Sequence, residues 1–386
     1  MRRSLFFILF IFFVSCSRYG GMYIKQKLEY PKKVHSLIDL ADNKRNNKRI
    51  NFNKVKGVVV DIEKLKNNRL TEKGFEILKD CHAVEYIRLI YPKGYLENDF
   101  SIELSEAISK MNEPKEIYMT LDSADYIPNV FHGSNEIQQI TIKGNFIKMV
   151  SVNTLSQDNL NILSINCSTD CFNFNGKDLS HLESLSLIIK GKTQNLDFSG
   201  LKELKYFNFI NEEIENLPDN FFELPNLLTL ILSFPGLKKI NENISNLKSL
   251  KTFLFTSYEI NELPGSLSKL EHLDWVSINT NGKVESLKPL TKLPKLKRLS
   301  ISGINLLEVV DEVLLMKKLK ALDFSLHPLL NKDLSPLGQL EKLKEIRFQT
   351  TYTERDGDNY IRKDLSDSTI NEVLDQLKKV LPEHFK

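Results

Sequence analysis

Four cysteines and seven histidines hold most of the nucleophilic and metal-binding capacity of this 386-residue chain. Their spacing leaves little of it usable. Cys167 and Cys171 flank a short turn, where they could close a local disulfide or stand as separate small residues. With Cys81 they make an odd set of three, so no complete disulfide framework is expected. No histidine lies within ligand spacing of the pair, which argues against zinc. His35, His82, His132, His181, His272, His327 and His384 are scattered. No metalloprotease helix motif, nucleophile elbow, dinucleotide fingerprint or phosphate-binding loop accompanies them. Asp356-Gly357-Asp358-Asn359 offers oxygens to calcium but lacks the spaced acidic ligands and closing glutamate of a calcium loop, and reads as a polar turn. No catalytic residue, metal or cofactor is expected.

Cys16 is the cysteine with a chemistry written around it. Arg2 and Arg3 precede an apolar run from Leu5 to Val14, followed by Ser15 and Cys16. A charged start, a short apolar stretch and a small residue before the break make a secretory signal over residues 1–15. The run is too short to span a bilayer comfortably. Val14-Ser15-Cys16 resembles the lipobox of bacterial lipoproteins, although Phe13 departs from its usual leucine. The resemblance implies cleavage before Cys16 and lipidation of its thiol, and so a chain tied to the bacterial cell envelope. Ser17 is not the aspartate that marks retention at the inner membrane, which leans towards the outer membrane.

What must position any further chemistry is a repeat. Apolar triplets of the form L-x-x-L-x-L begin at Val55, Val84, Pro114, Ile137, Leu160, Leu182, Leu204, Leu227, Leu250, Leu273, Leu296, Leu319 and Leu343. After two longer intervals the spacing settles at 22 to 24 residues. A period of this length marks a solenoid in which each repeat touches only its neighbours. Within a triplet the last two apolar residues sit two apart, one face of a strand, so Phe207 and Phe209 point inward and Asn208 outward. One repeat offers about seven core side chains, roughly 10–20 kcal/mol gross if fully buried. Ordering its backbone costs more than that, at about 1–2 kcal/mol per residue. A single repeat therefore cannot fold alone, and stacking must bury the rest.

These triplets, with Ile214-Glu215-Asn216-Leu217-Pro218 and Ile260-Asn261-Glu262-Leu263-Pro264, resemble the leucine-rich repeat family over roughly residues 50–350. The resemblance implies an α/β horseshoe with a concave parallel sheet of about 13 strands and helices or short turns on the convex side. The family's ninth-position asparagine is mostly absent: the column reads Glu212, Pro235, Tyr258, Asn281, Ile304 and His327. Other groups must satisfy the backbone there. The first two repeats, with Phe75, Ile77 and Leu78 and then Leu104, Ala107 and Ile108, have room for true convex helices; later ones have room for a short turn or extended return. Residues 16–50 form a lipidated tether and N-terminal cap, and residues 351–386 a loop and a capping helix over Asp367 to Leu381.

Charge separates along the chain. Residues 25–56 hold ten lysines or arginines against Glu29, Asp39 and Asp42, whereas residues 57–386 are net acidic. The basic stretch suits a tether beside an anionic membrane or simply a solvated linker. No basic stripe interleaved with aromatics runs through the repeats, so nucleic acid is not expected as a partner.

In the family, side chains between the core positions face the concave side. Most in this chain are small or polar. The exceptions cluster in adjacent repeats: Ile188, Ile189, Tyr206, Ile210, Ile231, Phe234, Leu254 and Trp275, the only tryptophan. A contiguous exposed apolar patch is informative, and aromatics on a rigid sheet are common anchors. Tyr206, Ile210, Ile231, Phe234, Leu254 and Trp275 are the candidate partner-binding residues, with a protein or peptide as ligand. Self-coverage of the patch, or a register error of one residue, would remove it. Three function classes remain: a lipid-anchored binding module, with adhesion as one version; a periplasmic scaffold or assembly factor without external ligand; and an enzyme. About 38 residues follow Phe348, too few for an ordinary catalytic domain, so no enzyme is expected. Oligomeric state is not legible.

Overall fold

The computed structural model describes residues 34–45, 51–69, 71–93, 101–111, 114–130, 136–155, 158–280, 284–304, 306–325, 333–349, 351–356, 359–364 and 366–380. Cys16, the signal segment and most of the tether lie outside them.

Each triplet becomes a strand, and six further strands lie outside the triplets. In chain order these are β1 (His35–Ser36), β2 (Gly57–Asp61), β3 (Tyr86–Tyr91), β4 (Glu116–Ala124), β5 (Gln139–Ile147), β6 (Met149–Ser151), β7 (Ile162–Ser168), β8 (Cys171–Asn175), β9 (Ser184–Lys190) and β10 (Thr193–Asp197). There follow β11 (Tyr206–Asn211), β12 (Thr229–Ser233), β13 (Thr252–Thr256), β14 (Trp275–Asn279), β15 (Arg298–Ser302), β16 (Ala321–Ser325), β17 (Glu345–Gln349), β18 (Thr351–Asp356) and β19 (Asn359–Asp364). One 14-stranded sheet runs β1-β2-β3-β4-β5-β7-β9-β11-β12-β13-β14-β15-β16-β17. Its pairs are parallel and keep the repeat's phase: Phe207 sits beside Leu230, Leu230 beside Phe253, and Phe253 beside Val276. The sequence accounts for thirteen of these strands. The fourteenth is β1, which pairs onto β2 from the cap and carries no periodic signal of its own. Behind it, helix α1 (Leu37–Arg45) buries Leu37, Leu40 and Ala41 over the first repeat.

The convex side varies with the length of each interval. The first two repeats carry α2 (Ile62–Asn67), α3 (Thr71–Lys79) and α4 (Ser101–Ser109). Asp61 caps α2 by accepting a hydrogen bond from the Lys64 amide at 3.0 Å. The middle repeats return in extended form: β10, β8 and β6 make a second, three-stranded parallel sheet. Four later repeats carry single 3-10 turns, such as Asp219–Phe222. The repeat before β15 carries the four-residue α5 (Lys288–Thr291), and the expectation of a short turn or extended return in the later repeats is corrected after β15, where the nine-residue helix α6 (Leu306–Leu314) forms. Helix α7 (Asp367–Val380) closes the far end, with Val373 and Leu377 buried and the Gln376 Oε1 accepting from the Leu334 amide at 2.7 Å. β18 and β19 form an antiparallel hairpin that lies in sequence between the last repeat and this helix. No helix among the described residues is long and apolar enough to cross a membrane.

Between the sheet and the convex returns runs a continuous apolar core. Its centre is aromatic. Phe198 lies 4.9 Å from Phe174 and 5.3 Å from both Phe207 and Phe221, measured between ring centroids. Phe209 continues the chain to Phe234 at 5.1 Å in an edge-on contact. Such pairs add about 0.5–1.5 kcal/mol each beyond burial.

The polar group that holds the turns is Asn211, fully buried. Its Nδ2 donates to the carbonyls of Ile189 and Gly191 in the preceding repeat, at 3.0 and 2.9 Å. Its Oδ1 accepts from the amides of Glu213 and Ile214, at 2.8 and 2.9 Å. Two repeats later Ser257 takes the equivalent place, donating to the Leu237 carbonyl at 2.6 Å. The polar column thus stands one residue before the one read from the family pattern at Glu212.

Candidate functional site

Over the later repeats the concave face is built by the alternate residues of β9 and of β11 to β17. Three columns cross it, set by register. One runs Tyr206, Thr229, Thr252, Trp275, Arg298; the next runs Asn208, Ile231, Leu254, Ser277, Ser300, Asp323, Arg347; the third starts at Ile188 and Ile210. Neighbouring members of a column are about 4.8 Å apart, one strand spacing.

Of the six candidate binding residues, four lie partly exposed on this face: Tyr206, Ile210, Ile231 and Trp275. Two do not. Phe234 is fully buried, and its parity explains why. Leu230, Leu232 and Phe234 are two apart, so all three point into the core, and Phe234 packs there on Phe209. Ile189, on the parity of Leu185 and Leu187, is buried for the same reason.

Leu254 has the right parity but is only 2% exposed, and it stands outside the contiguous solenoid core. It is covered on the concave side itself. Asn208 and Ser277, in the same column, are buried too. Side chains on the inner face of a curved sheet converge, so the middle column is the first to lose water. Leu254 therefore forms the floor of the face and is not a surface anchor.

What remains is a diagonal. Ile188 on β9 and Ile210 on β11 lie beside each other near the ends of their strands. Ile231 stands mid-strand on β12, and Trp275 stands at the start of β14. The apolar positions drift from strand exit to strand entry over successive repeats, with buried Leu254 beneath. At the tryptophan end, the Arg298 guanidinium carbon lies 5.7 Å from the ring centroid, within cation–π range. Sequence reading missed this arginine, because only the register places it against Trp275.

Beyond Arg298 the face turns polar. Asp323 sits between Ser300 and Arg347 in the middle column. Burial pushes its carboxyl up to about 6, against the opposing pull of the Arg347 guanidinium. The folded chain thus holds this proton more tightly than the unfolded chain does, so stability falls as pH rises from about 4 through 6. Asp323→Asn should be more stable than the parent at pH 7 by about 1–3 kcal/mol. The gain should vanish at about pH 3, where the carboxyl is largely protonated in both states. Urea unfolding at the two pH values measures this; an equal gain at both would mean that the charge is not the cause.

The cysteines offer no second site. None of Cys81, Cys167 and Cys171 is joined in a disulfide, so the local bridge between Cys167 and Cys171 is not formed. Burial drives Cys167 up to about 12, which leaves it inert. No group of three or more histidine, cysteine or acidic side chains able to hold a metal occurs among the described residues.

No family model and no curated protein matches the sequence. Solved structures do match the fold. A leucine-rich repeat protein of Leptospira interrogans is 18% identical with a TM-score of 0.53, over 83% of this chain and 88% of that one. TLR13 in complex with ssRNA13 is 18% identical with a TM-score of 0.51, over 77% of this chain and 51% of that one. An internalin of Listeria monocytogenes gives 16% identity and a TM-score of 0.39, over 70% and 77%. Identities this low speak to architecture alone. Repeat period, parallel 14-stranded sheet and structural likeness agree: the chain folds as a leucine-rich repeat solenoid.

Proposed function

We propose that this solenoid is a non-enzymatic binding module of the bacterial cell envelope that takes an extended protein or peptide segment across its concave face. The observation that carries the reading is the diagonal Ile188–Ile210–Ile231–Trp275, half-buried apolar side chains on β9, β11, β12 and β14 of a rigid sheet, with buried Leu254 of β13 between the last two. A ligand laid along it can drop apolar side chains between strands while polar columns on either side satisfy its backbone. Each well-seated anchor is worth roughly 2 kcal/mol or more on truncation. The TLR13 neighbour carries RNA, but apolar contacts dominate this strip, and they favour a polypeptide.

The N-terminal sequence supplies the location. Lipidation at Cys16 ties the chain to a membrane, with the outer membrane favoured by Ser17. A surface-facing horseshoe would serve adhesion or ligand capture. A periplasmic one would serve as a scaffold or assembly factor.

A photo-crosslinking residue at Ile210, with one at the exposed convex Leu315 as control, tests the site in cells. A polypeptide adduct from 210 and none from 315 is expected. Equal adducts from both, or none from 210, would remove the concave face as the binding site. Protease treatment of intact and lysed cells then separates the two locations. Loss of the repeats from intact cells places them outside, and protection until lysis places them in the periplasm.

A further inference from the structure

The strands of the main sheet are parallel, so the residues that enter them lie along one rim of the horseshoe. Backbone hydrogen bonds tie these residues into a single file: Lys56, Glu85, Lys115, Gln138, Asn161, Glu183, Lys205, Leu228, Lys251, Asp274, Lys297, Lys320 and Lys344. Each stands one strand spacing, about 4.8 Å, from the next. Like charges that close repel, and opposite charges attract.

Over most of the file the sequence respects this rule. Lys56 pairs with Glu85 at 2.6 Å, Lys205 with Glu183 at 2.7 Å, and Lys297 with Asp274 at 3.6 Å. Where a lysine would meet another lysine, a neutral residue intervenes, as Leu228 does between Lys205 and Lys251. The rule breaks only at the end. Lys297, Lys320 and Lys344 are consecutive, all exposed, and no acidic partner of Lys320 or Lys344 occurs among the described residues. Lys318 and Lys342, also exposed, stand one row behind them.

We infer that this basic rim is a docking edge for an anionic phospholipid bilayer. The cations stand on exposed turns along a ridge, so the site has no walls to select a ligand of fixed shape. A fluid bilayer needs none, because its headgroups move to meet whatever spacing the lysines present. At the opposite end, exposed Lys54 stands two residues before the paired Lys56 and near the close of the basic stretch of residues 25–56. A horseshoe standing with this rim on the membrane brings the lysine end to the headgroups and leaves the concave strip open at right angles to the bilayer. The attraction falls away within a Debye length, so it is lost at high salt.

Sedimentation of the full chain with phosphatidylcholine vesicles, with and without phosphatidylglycerol, tests the inference. The apolar N-terminal segment contributes to both, so the phosphatidylglycerol-dependent part is what is read. A lysine at the surface contributes about fivefold, so the Lys297→Gln/Lys320→Gln/Lys344→Gln variant should lose that part by about 100-fold. The same charge change on the other rim, Lys190→Gln/Lys238→Gln/Lys239→Gln, should leave it within about twofold. Exposed lysines on turns can be changed without unfolding the repeats, and a melting curve checks each variant. Parent-like binding by the first variant, or equal loss in both, would overturn the docking edge. Retention on a dextran sulfate column through the same lysines, with no vesicle binding, would overturn the bilayer as its occupant.

Discussion

Asn211→Leu should destabilise the solenoid by about 4 kcal/mol or more, out of proportion to a change that nearly conserves volume. The side chain makes four hydrogen bonds, two as donor to Ile189 and Gly191 and two as acceptor from Glu213 and Ile214. It makes them with no exposure to water. Leucine would leave two carbonyls and two amides unpaired in the interior, at about 1–3 kcal/mol each. The backbone cannot shift to find new partners. Gly191 has φ +131°, and any Cβ there would lie 1.8 Å from the Thr169 carbonyl oxygen, so the neighbouring turn is fixed by close contact. Hydrogen exchange measures the effect locally: the amides of Glu213 and Ile214 should lose protection first, ahead of repeats on either side. A loss below about 1 kcal/mol would mean that water replaces the amide. Asn211→Asp should also fail, because a carboxylate cannot donate to the two carbonyls.

This residue shows where sequence reasoning stops. The triplets fixed the strand positions because period and parity are local. The same parity puts 207, 209 and 211 on one face, which turns Asn211 inward and makes it the turn's hydrogen-bonding hub. The family pattern drew attention to Glu212 instead. Phe234 repeats the lesson with the opposite chemistry. It occupies the same column as Asn211, so it fills with a ring the space that Asn211 fills with hydrogen bonds. The alternation that turns Leu230 and Leu232 inward turns Phe234 inward as well.

Leu254 could not have been read this way. Its parity does point to the concave side, and its burial comes from the curvature of the whole sheet. Curvature is a sum over repeats and leaves no mark on one position. The two-residue β1 was equally silent, since a strand that short has no period. The lysine file lies between these cases. Its residues are plain in the sequence, but only parallel register turns thirteen separated positions into one row of neighbours whose charges can be compared.

The second large effect belongs to the concave strip. Trp275→Ser combined with Ile231→Ser should weaken binding of a crosslinked partner's segment by about three orders of magnitude, if each anchor contributes roughly 2 kcal/mol and the two act independently. Independence is reasonable, because Ile231 and Trp275 stand on different columns with β13 between them. Both side chains are half-buried on the face away from the core, so the fold should survive. Trp275→Ser also removes the cation–π contact with Arg298. Fluorescence polarisation with the labelled segment gives the affinity, and a melting curve gives the control. Phe234→Ser separates surface from core: it should cost about 3 kcal/mol or more of stability and weaken binding only as far as the fold is lost. An unchanged affinity in the double variant with an unchanged melting curve would take the strip out of the binding mechanism. The polar half of the face, from Arg298 to Arg347, would then be the surface to test, because it is the remaining part of the same sheet that presents side chains of distinct chemistry on a fixed lattice.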